Sequence, residues 1–101
     1  MARIVLAELG LPFDGRTLRE RPLGGTESAV ALLAEALRRR GHQVRCLTRI
    51  PAPVSFEGVE WRPPPAEAPM PGVDLFIASR SPLHLRWAPP GAVKVLWVHN
   101  P

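Results

Sequence analysis

The sequence predicts an α/β fold, a partial Rossmann-like three-layer domain with a mostly parallel sheet. Short continuous apolar runs, the first at residues 3–9, are typical of strands that are buried on both faces of a parallel sheet. One strongly periodic helical segment, at about residues 27–39, lies between the first two predicted strands. This alternation of strand and helix favours parallel strands that are joined by right-handed crossovers.

The bulk composition indicates a single globular domain. A length of 101 residues allows one domain, and a content of 46% hydrophobic and 22% charged residues excludes a disordered chain. The chain has 13 prolines, and most of them cluster at residues 51–53, 63–71 and 82–90, which predicts loops in these three segments.

The net charge of +4 does not by itself indicate a nucleic-acid partner. The densest basic run, Arg38–Arg40, lies at the predicted carboxyl end of the helix, where cations meet the negative end of the helix dipole. A phosphate-binding or membrane-surface patch is the alternative. A nucleic-acid interface needs a basic stripe with interleaved aromatic residues, and the three scattered tryptophans do not form one.

We expect a cytoplasmic protein. The single cysteine, Cys46, cannot form an internal disulfide, which favours a reducing compartment. Residues 1–20 contain no signal peptide, because Glu8, Asp14 and Arg16 interrupt the apolar stretch. No apolar run approaches the ~18–20 residues of a membrane span.

The first half of the chain contains a strand, a long loop and the helix. The loop at about residues 10–24 is much longer than the roughly 2–6 residues of a usual strand-to-helix connection, and long loops at this position usually serve a ligand. Thr26 is the expected N-cap of the helix at residues 27–39, and Gly41 suits the left-handed residue that ends it. Apolar residues at helical spacing form one face of this helix, at Val30, Leu33, Ala34 and Leu37.

The second half contains mainly strands and loops. Four further strands are predicted at residues 43–48, 58–62, 74–79 and 94–99. We expect a loop at residues 51–57 and one helical turn at residues 83–87. The five prolines between residues 63 and 72 leave little room for regular structure there.

In open α/β sheets, ligands bind beyond the carboxyl ends of the strands, which here selects the loops at residues 10–26, 79–82 and 99–101. Gly24, Gly25 and Thr26 end the first of these loops, and they are candidate phosphate- and substrate-binding residues. Glycine lets a ligand approach the backbone closely, and a helix amino terminus offers unpaired N–H donors and a positive dipole end. A tight turn into a capped helix is the alternative, because neither a dinucleotide-binding nor a Walker A sequence is present.

The other two loops contribute His99, Asn100 and Arg80. The imidazole of His99, a candidate catalytic group, could bind a sugar hydroxyl or stabilise a developing charge, and a structural histidine is the alternative. Arg80 could bind a phosphate or a carboxylate through its fork of donors, and a solvated surface arginine is the alternative. We include Asn100 among the candidate binding residues. No His, Cys, Asp and Glu cluster has metal-ligand spacing, so neither a metal nor a cofactor is expected.

Taken together, these segments resemble the N-terminal lobe of a GT-B glycosyltransferase, and in particular glycosyltransferase family 4. The resemblance rests on the opening strand Arg3–Leu9, the segment Leu23-Gly24-Gly25-Thr26-Glu27-Ser28-Ala29-Val30, and the block Leu33–Val44 with its Leu-Ala-Glu-Ala-Leu and Arg-Arg-Gly-His sequences. It continues through Asp74–Arg80 and Val95–Asn100, and it covers nearly all of the chain outside the proline-rich loops.

The resemblance implies a metal-independent, retaining transferase that moves a sugar from a nucleotide-sugar donor to an acceptor. Gly24, Gly25 and Thr26 would occupy the loop that approaches the diphosphate and sugar of the donor, and His99 would match the histidine that points toward the transferred sugar. By this resemblance, residues 1–101 form an incomplete, acceptor-side lobe without the C-terminal donor-binding domain, and this span alone is expected to be inactive.

The same resemblance leaves a surface without its usual cover. We expect an exposed apolar edge near residues 94–99, which would favour self-association or contact with the missing lobe. Peripheral membrane contact also stays open.

Two other functions remain as alternatives. The chain could be a non-enzymatic α/β module that binds a phosphorylated or sugar ligand or a partner chain, or a different nucleotide-binding enzyme domain, such as a sugar epimerase.

Overall fold

The computed structural model describes residues 1–22 and 24–99. The strands are β1 (Arg3–Ala7), β2 (Gln43–Leu47), β3 (Val54–Phe56), β4 (Val59–Arg62), β5 (Leu75–Ser79) and β6 (Val93–Trp97). The helices are α1 (Thr17–Glu20), α2 (Gly25–Arg39) and a 3-10 helix (Pro82–Trp87).

All six strands belong to one sheet, in the order β3-β4-β2-β1-β5-β6. Every neighbouring pair is parallel except β3 and β4, so the prediction of an α/β fold with a mostly parallel sheet is confirmed. Strand β1 lies between β2 and β5, and Ile4 pairs with Val44 on one side and Leu75 on the other. The first strand is therefore at the centre of the sheet, as its continuous apolar run indicates.

Both faces of the sheet are covered, which explains why the apolar runs do not alternate with polar residues. On one face, α2 packs over β2 and β4, and its Val30 and Ala34 join a core that includes Leu6 and Trp61. The other face is covered by the 3-10 helix, the proline-rich segment and the residues that lead into β5 and β6. Buried residues on this face include Met70, Val73, Trp87 and Ala92.

Helix α2 begins two residues earlier than predicted, so the assignment of Thr26 as its N-cap is wrong. Gly24 is the N-cap, with φ −62° and ψ 164°, and its carbonyl accepts from the N–H of Ser28 at 3.0 Å. A Cβ atom on residue 24 would lie 2.6 Å from Oε2 of Glu27, so this close approach favours glycine. At the other end, Gly41 has φ +94° and donates to Arg38, which confirms that it ends the helix.

The least accurate prediction concerns residues 51–57, which were expected to form a loop. They contain β3, which forms an antiparallel hairpin with β4 through Glu57 and Gly58. Both turn residues have positive φ, 52° and 75°, as a two-residue type I′ turn requires. The long loop at residues 10–24 likewise contains α1, whereas the helical turn expected at residues 83–87 is present as the 3-10 helix.

Strand β6 is the exposed edge that the sequence predicts near residues 94–99. Its apolar side chains reach solvent: Val93 is 63% and Leu96 41% exposed, and Val98, which follows the strand, is 70% exposed. Among the described residues, no helix has both the length and the apolar character needed to cross a bilayer.

The only cysteine provides a direct test of this packing. Cys46 is fully buried on β2, and burial raises the pKa of its thiol well above the ordinary value. We expect a thiol reagent to leave the native protein unlabelled and to label one site per chain in denaturant. Mass spectrometry measures the labelling. Rapid labelling of every chain under native conditions would contradict the position of β2 in the core.

Candidate functional site at the carboxyl edge of the sheet

Three neighbouring parallel strands place polar residues at one edge of the sheet. Glu8 follows β1, Ser79 ends β5, and His99 lies two residues after β6. The order β1-β5-β6 makes these strand ends adjacent. The first turn of α2, with Glu27, starts at the same edge because α2 begins after the loop that leaves β1.

Arg80 joins two buried carboxylates. Its Nε donates to Oε1 of Glu8 at 3.1 Å, and its Nη2 donates to Oε1 of Glu27 at 2.7 Å. Glu8 is 1% exposed and Glu27 is 4% exposed. Because water cannot reach either side chain, each needs a hydrogen-bonding partner from the protein. The hydrogen bond that Arg80 donates to Glu8, together with the attraction of both carboxylates, raises the pKa of Arg80 despite partial desolvation.

The carboxylate of Glu8 has two further donors. The backbone N–H of Gly10 donates to Oε2 at 2.9 Å, and the hydroxyl of Ser79 donates to Oε1 at 2.5 Å. Arg80, Gly10 and Ser79 therefore hold this carboxylate from three directions, which fixes the position of Glu8 at the end of β1.

His99 is connected to the same cluster through Ser79. Its Nε2 lies 3.0 Å from the Ser79 hydroxyl oxygen, and its ring lies on the indole of Trp97 with 4.4 Å between ring centroids. A continuous series of polar contacts thus runs from Glu27 through Arg80, Glu8 and Ser79 to His99.

The structure brings most of the predicted site residues to this edge. Gly24 and Gly25 are exposed at the start of α2, next to the end of the contact series at Glu27. Thr26 is half-buried in the first turn. A Cβ atom on Gly25 would meet no heavy atom of the described residues within 4 Å.

Two candidates need separate comment. The fork of Arg80 binds the carboxylates of Glu8 and Glu27, and its role toward a phosphate or a carboxylate of a ligand stays a prediction. Asn100 lies outside the described residues, and so does Leu23.

Glu8, Ser79 and Glu27 are site residues that the sequence reasoning did not select. A usable signal existed for Glu8, because a charged residue within an apolar strand segment needs a partner when it is buried. The sequence offers Arg80 at the end of another buried strand, and this arginine is that partner.

The long loop before α2 is held by the core rather than being an open flap. Phe13 is 2% exposed, and its carbonyl accepts from the Thr48 hydroxyl at 2.7 Å. Burial opposes ionisation of Asp14, but hydrogen bonds from Arg16 outweigh this effect and lower the pKa of Asp14 below its usual range. The Phe13 carbonyl thus ties the loop to Thr48 just after β2, and the Asp14–Arg16 contact is local to the loop.

The amino edge of the sheet contains a cavity of about 200 Å³, lined in part by Arg3, Gln43 and Arg45. It lies at the opposite ends of the strands from His99 and belongs to a different surface. Within residues 1–22 and 24–99, no group of three or more His, Cys, Asp and Glu side chains is placed to hold a metal ion.

The fold and the site define an α/β domain with a six-stranded, mostly parallel sheet and a polar cluster at its carboxyl edge. When the chain is compared with protein-family models, with curated proteins and with solved structures, no match is found.

Proposed function

We propose that this chain is the acceptor-side, GT-B-type lobe of a retaining glycosyltransferase that uses a nucleotide-sugar donor. The observation that supports this function is the series of contacts from Glu27 through Arg80, Glu8 and Ser79 to His99. It links the start of α2 to His99, so a ligand that bridges the glycine turn and the imidazole would lie along one edge of the sheet.

The glycine turn would bind the diphosphate of the donor. The first backbone N–H groups of α2 have no partner within the helix, and the positive end of the helix dipole favours an anion. No heavy atom of residues 1–22 and 24–99 lies within 4 Å of a Cβ built on Gly25, so these residues leave room for a phosphate oxygen beside that backbone. The half-buried Thr26 adds a hydroxyl in the same turn.

His99 would contact the transferred sugar. Its ring is held between the Ser79 hydroxyl and the face of Trp97, so it meets a ligand in a fixed orientation. Fixed hydrogen-bonding groups at a reacting centre lower the barrier because they need no reorganisation during the reaction. Arg80 supports the site indirectly, since it neutralises one of the two buried carboxylates that lie between the turn and the imidazole.

Transfer should depend on His99. The test uses the complete polypeptide that the reading frame encodes, with UDP- and GDP-sugars as donors. His99→Ala is expected to lower kcat/KM about tenfold, the effect of one lost hydrogen bond to substrate. His42→Ala is the matched control, because His42 precedes β2 at the amino edge and its Nδ1 accepts from the N–H of Ala2, far from His99.

Two outcomes would refute the proposal. One is a complete reading frame that encodes no second Rossmann-like lobe, and the other is the absence of transfer from all UDP- and GDP-sugars tested. Titration calorimetry on the 101-residue chain distinguishes this proposal from the main alternative, a non-enzymatic ligand-binding module. We expect no measurable affinity for these donors from this span alone, whereas tight binding would favour a non-enzymatic ligand-binding module.

A further inference from the structure

The Ser79 hydroxyl has one proton and two polar neighbours. Its oxygen lies 2.5 Å from Oε1 of Glu8 and 3.0 Å from Nε2 of His99. A carboxylate can only accept, so the single hydroxyl proton of Ser79 is donated to Glu8. The Ser79 oxygen is then an acceptor toward His99, and Nε2 of His99 must carry a hydrogen.

The direction of these hydrogen bonds is fixed by the surroundings of Glu8. Arg80 Nε and the N–H of Gly10 are donors in every protonation state, and both point at this carboxylate. These two donors and the Ser79 hydroxyl surround one side chain, whose two oxygens accept all three hydrogen bonds. Glu8 and Ser79 are each 1% exposed, so water does not compete for their contact.

We propose that Glu8 and Ser79 are positioning residues that hold His99 in the Nε2–H tautomer, so that Nδ1 accepts a hydrogen bond from a hydroxyl of the bound ligand. The identification of this ligand as the transferred sugar rests on the proposed function. The control of the His99 tautomer by Glu8 and Ser79 is independent of that function. Among the described residues, none hydrogen-bonds Nδ1 of His99.

This arrangement predicts which chemical group His99 recognises. A neutral imidazole with its hydrogen on Nε2 offers a lone pair at Nδ1, which matches a hydroxyl donor and repels a phosphate or carboxylate oxygen. The phosphate end of a ligand would therefore lie toward the start of α2, and a hydroxyl-bearing part would lie toward His99. The same site thus orients a ligand that has both groups.

The test is nitrogen NMR of the His99 ring in the full 101-residue chain at about pH 9, where imidazole is neutral. We expect one tautomer, Nε2–H, and a ring proton that exchanges slowly with water. In Ser79→Ala and in the near-isosteric Ser79→Cys, this proton should exchange fast and the second tautomer should become populated. Ser81→Ala is the matched control, because its hydroxyl accepts from the N–H of Leu83 and does not contact His99.

The outcomes separate this proposal from the proposed function. A ring with its hydrogen on Nδ1 in the wild type, or a tautomer and exchange rate that Ser79→Ala and Ser79→Cys leave unchanged in a folded chain, would overturn the role of Glu8 and Ser79. In the complete enzyme, Ser79→Ala should lower kcat about tenfold, the lower end of the loss expected when a group that orients a histidine is removed. If the NMR result holds but no transfer occurs, the glycosyltransferase assignment fails and the positioning of His99 stands.

Discussion

Replacing Arg80 with methionine is expected to lower the free energy of unfolding by about 3 kcal/mol. Methionine keeps much of the apolar stem but leaves Glu8 and Glu27 buried without their cation. We place the value at the low end of the usual range for a broken buried ion pair, because the Arg80 side chain is 46% exposed and water can partly replace it. Urea unfolding of the wild type and the variant, followed by circular dichroism, measures the difference.

A matched substitution and a double mutant make this result specific. Arg49→Met replaces an exposed arginine in a loop, and we expect it to change stability by less than about 0.5 kcal/mol. Adding Glu27→Gln to Arg80→Met removes one unpaired charge, so the double mutant should recover about 1 kcal/mol relative to the sum of the single effects. Equal losses for Arg80→Met and Arg49→Met would show that Arg80 does not hold these acids.

Much of the fold was predictable because its signals are local. The apolar runs at residues 3–9 and 74–79 predicted buried strands, and these segments contain the adjacent strands β1 and β5. Helical spacing and Gly41 predicted the body and the end of α2. In each case a few consecutive residues determine the backbone conformation.

The start of α2 and the hairpin of β3 and β4 could not be predicted in the same way. The N-cap is Gly24 rather than the better capping residue Thr26, and Glu27 in the first turn binds Arg80, which is distant in the sequence. The hairpin turn uses Glu57 with positive φ, which is uncommon for a residue other than glycine. Both outcomes depend on tertiary contacts or on a strained turn that local preferences do not indicate.

The candidate site shows the same division. The sequence placed Arg80 and His99 at the correct edge through the rule for parallel strands. It did not predict that Arg80 binds Glu8 and Glu27, which are 72 and 53 residues away along the chain. Pairing over such separations is determined by the strand order β1-β5-β6, and periodicity within one segment contains no information about that order.

Replacing Trp61 with alanine should produce the largest loss of stability, about 3–5 kcal/mol. Trp61 is 0% exposed on β4, beneath α2, and its ring meets Phe13 edge to face with 5.4 Å between ring centroids. Alanine would leave a cavity in the core and would also remove the surface on which Phe13 anchors the long loop. Since domains of this size are usually stable by about 5–15 kcal/mol, the variant should unfold at much lower urea concentration.

Trp61→Phe is the matched control, because it keeps an aromatic ring in the core and removes the indole N–H. That N–H is buried and has no hydrogen-bond partner in the described part of the chain, so its loss leaves no acceptor unpaired. We expect Trp61→Phe to lower the free energy of unfolding by less than about 1.5 kcal/mol, because a similar apolar ring remains. Fluorescence of Trp87 and Trp97 follows unfolding in both variants. A loss of less than about 1 kcal/mol in the free energy of unfolding for Trp61→Ala would mean that the core beneath α2 does not depend on this ring. The anchoring of the loop that leads to Gly24 would then need another cause.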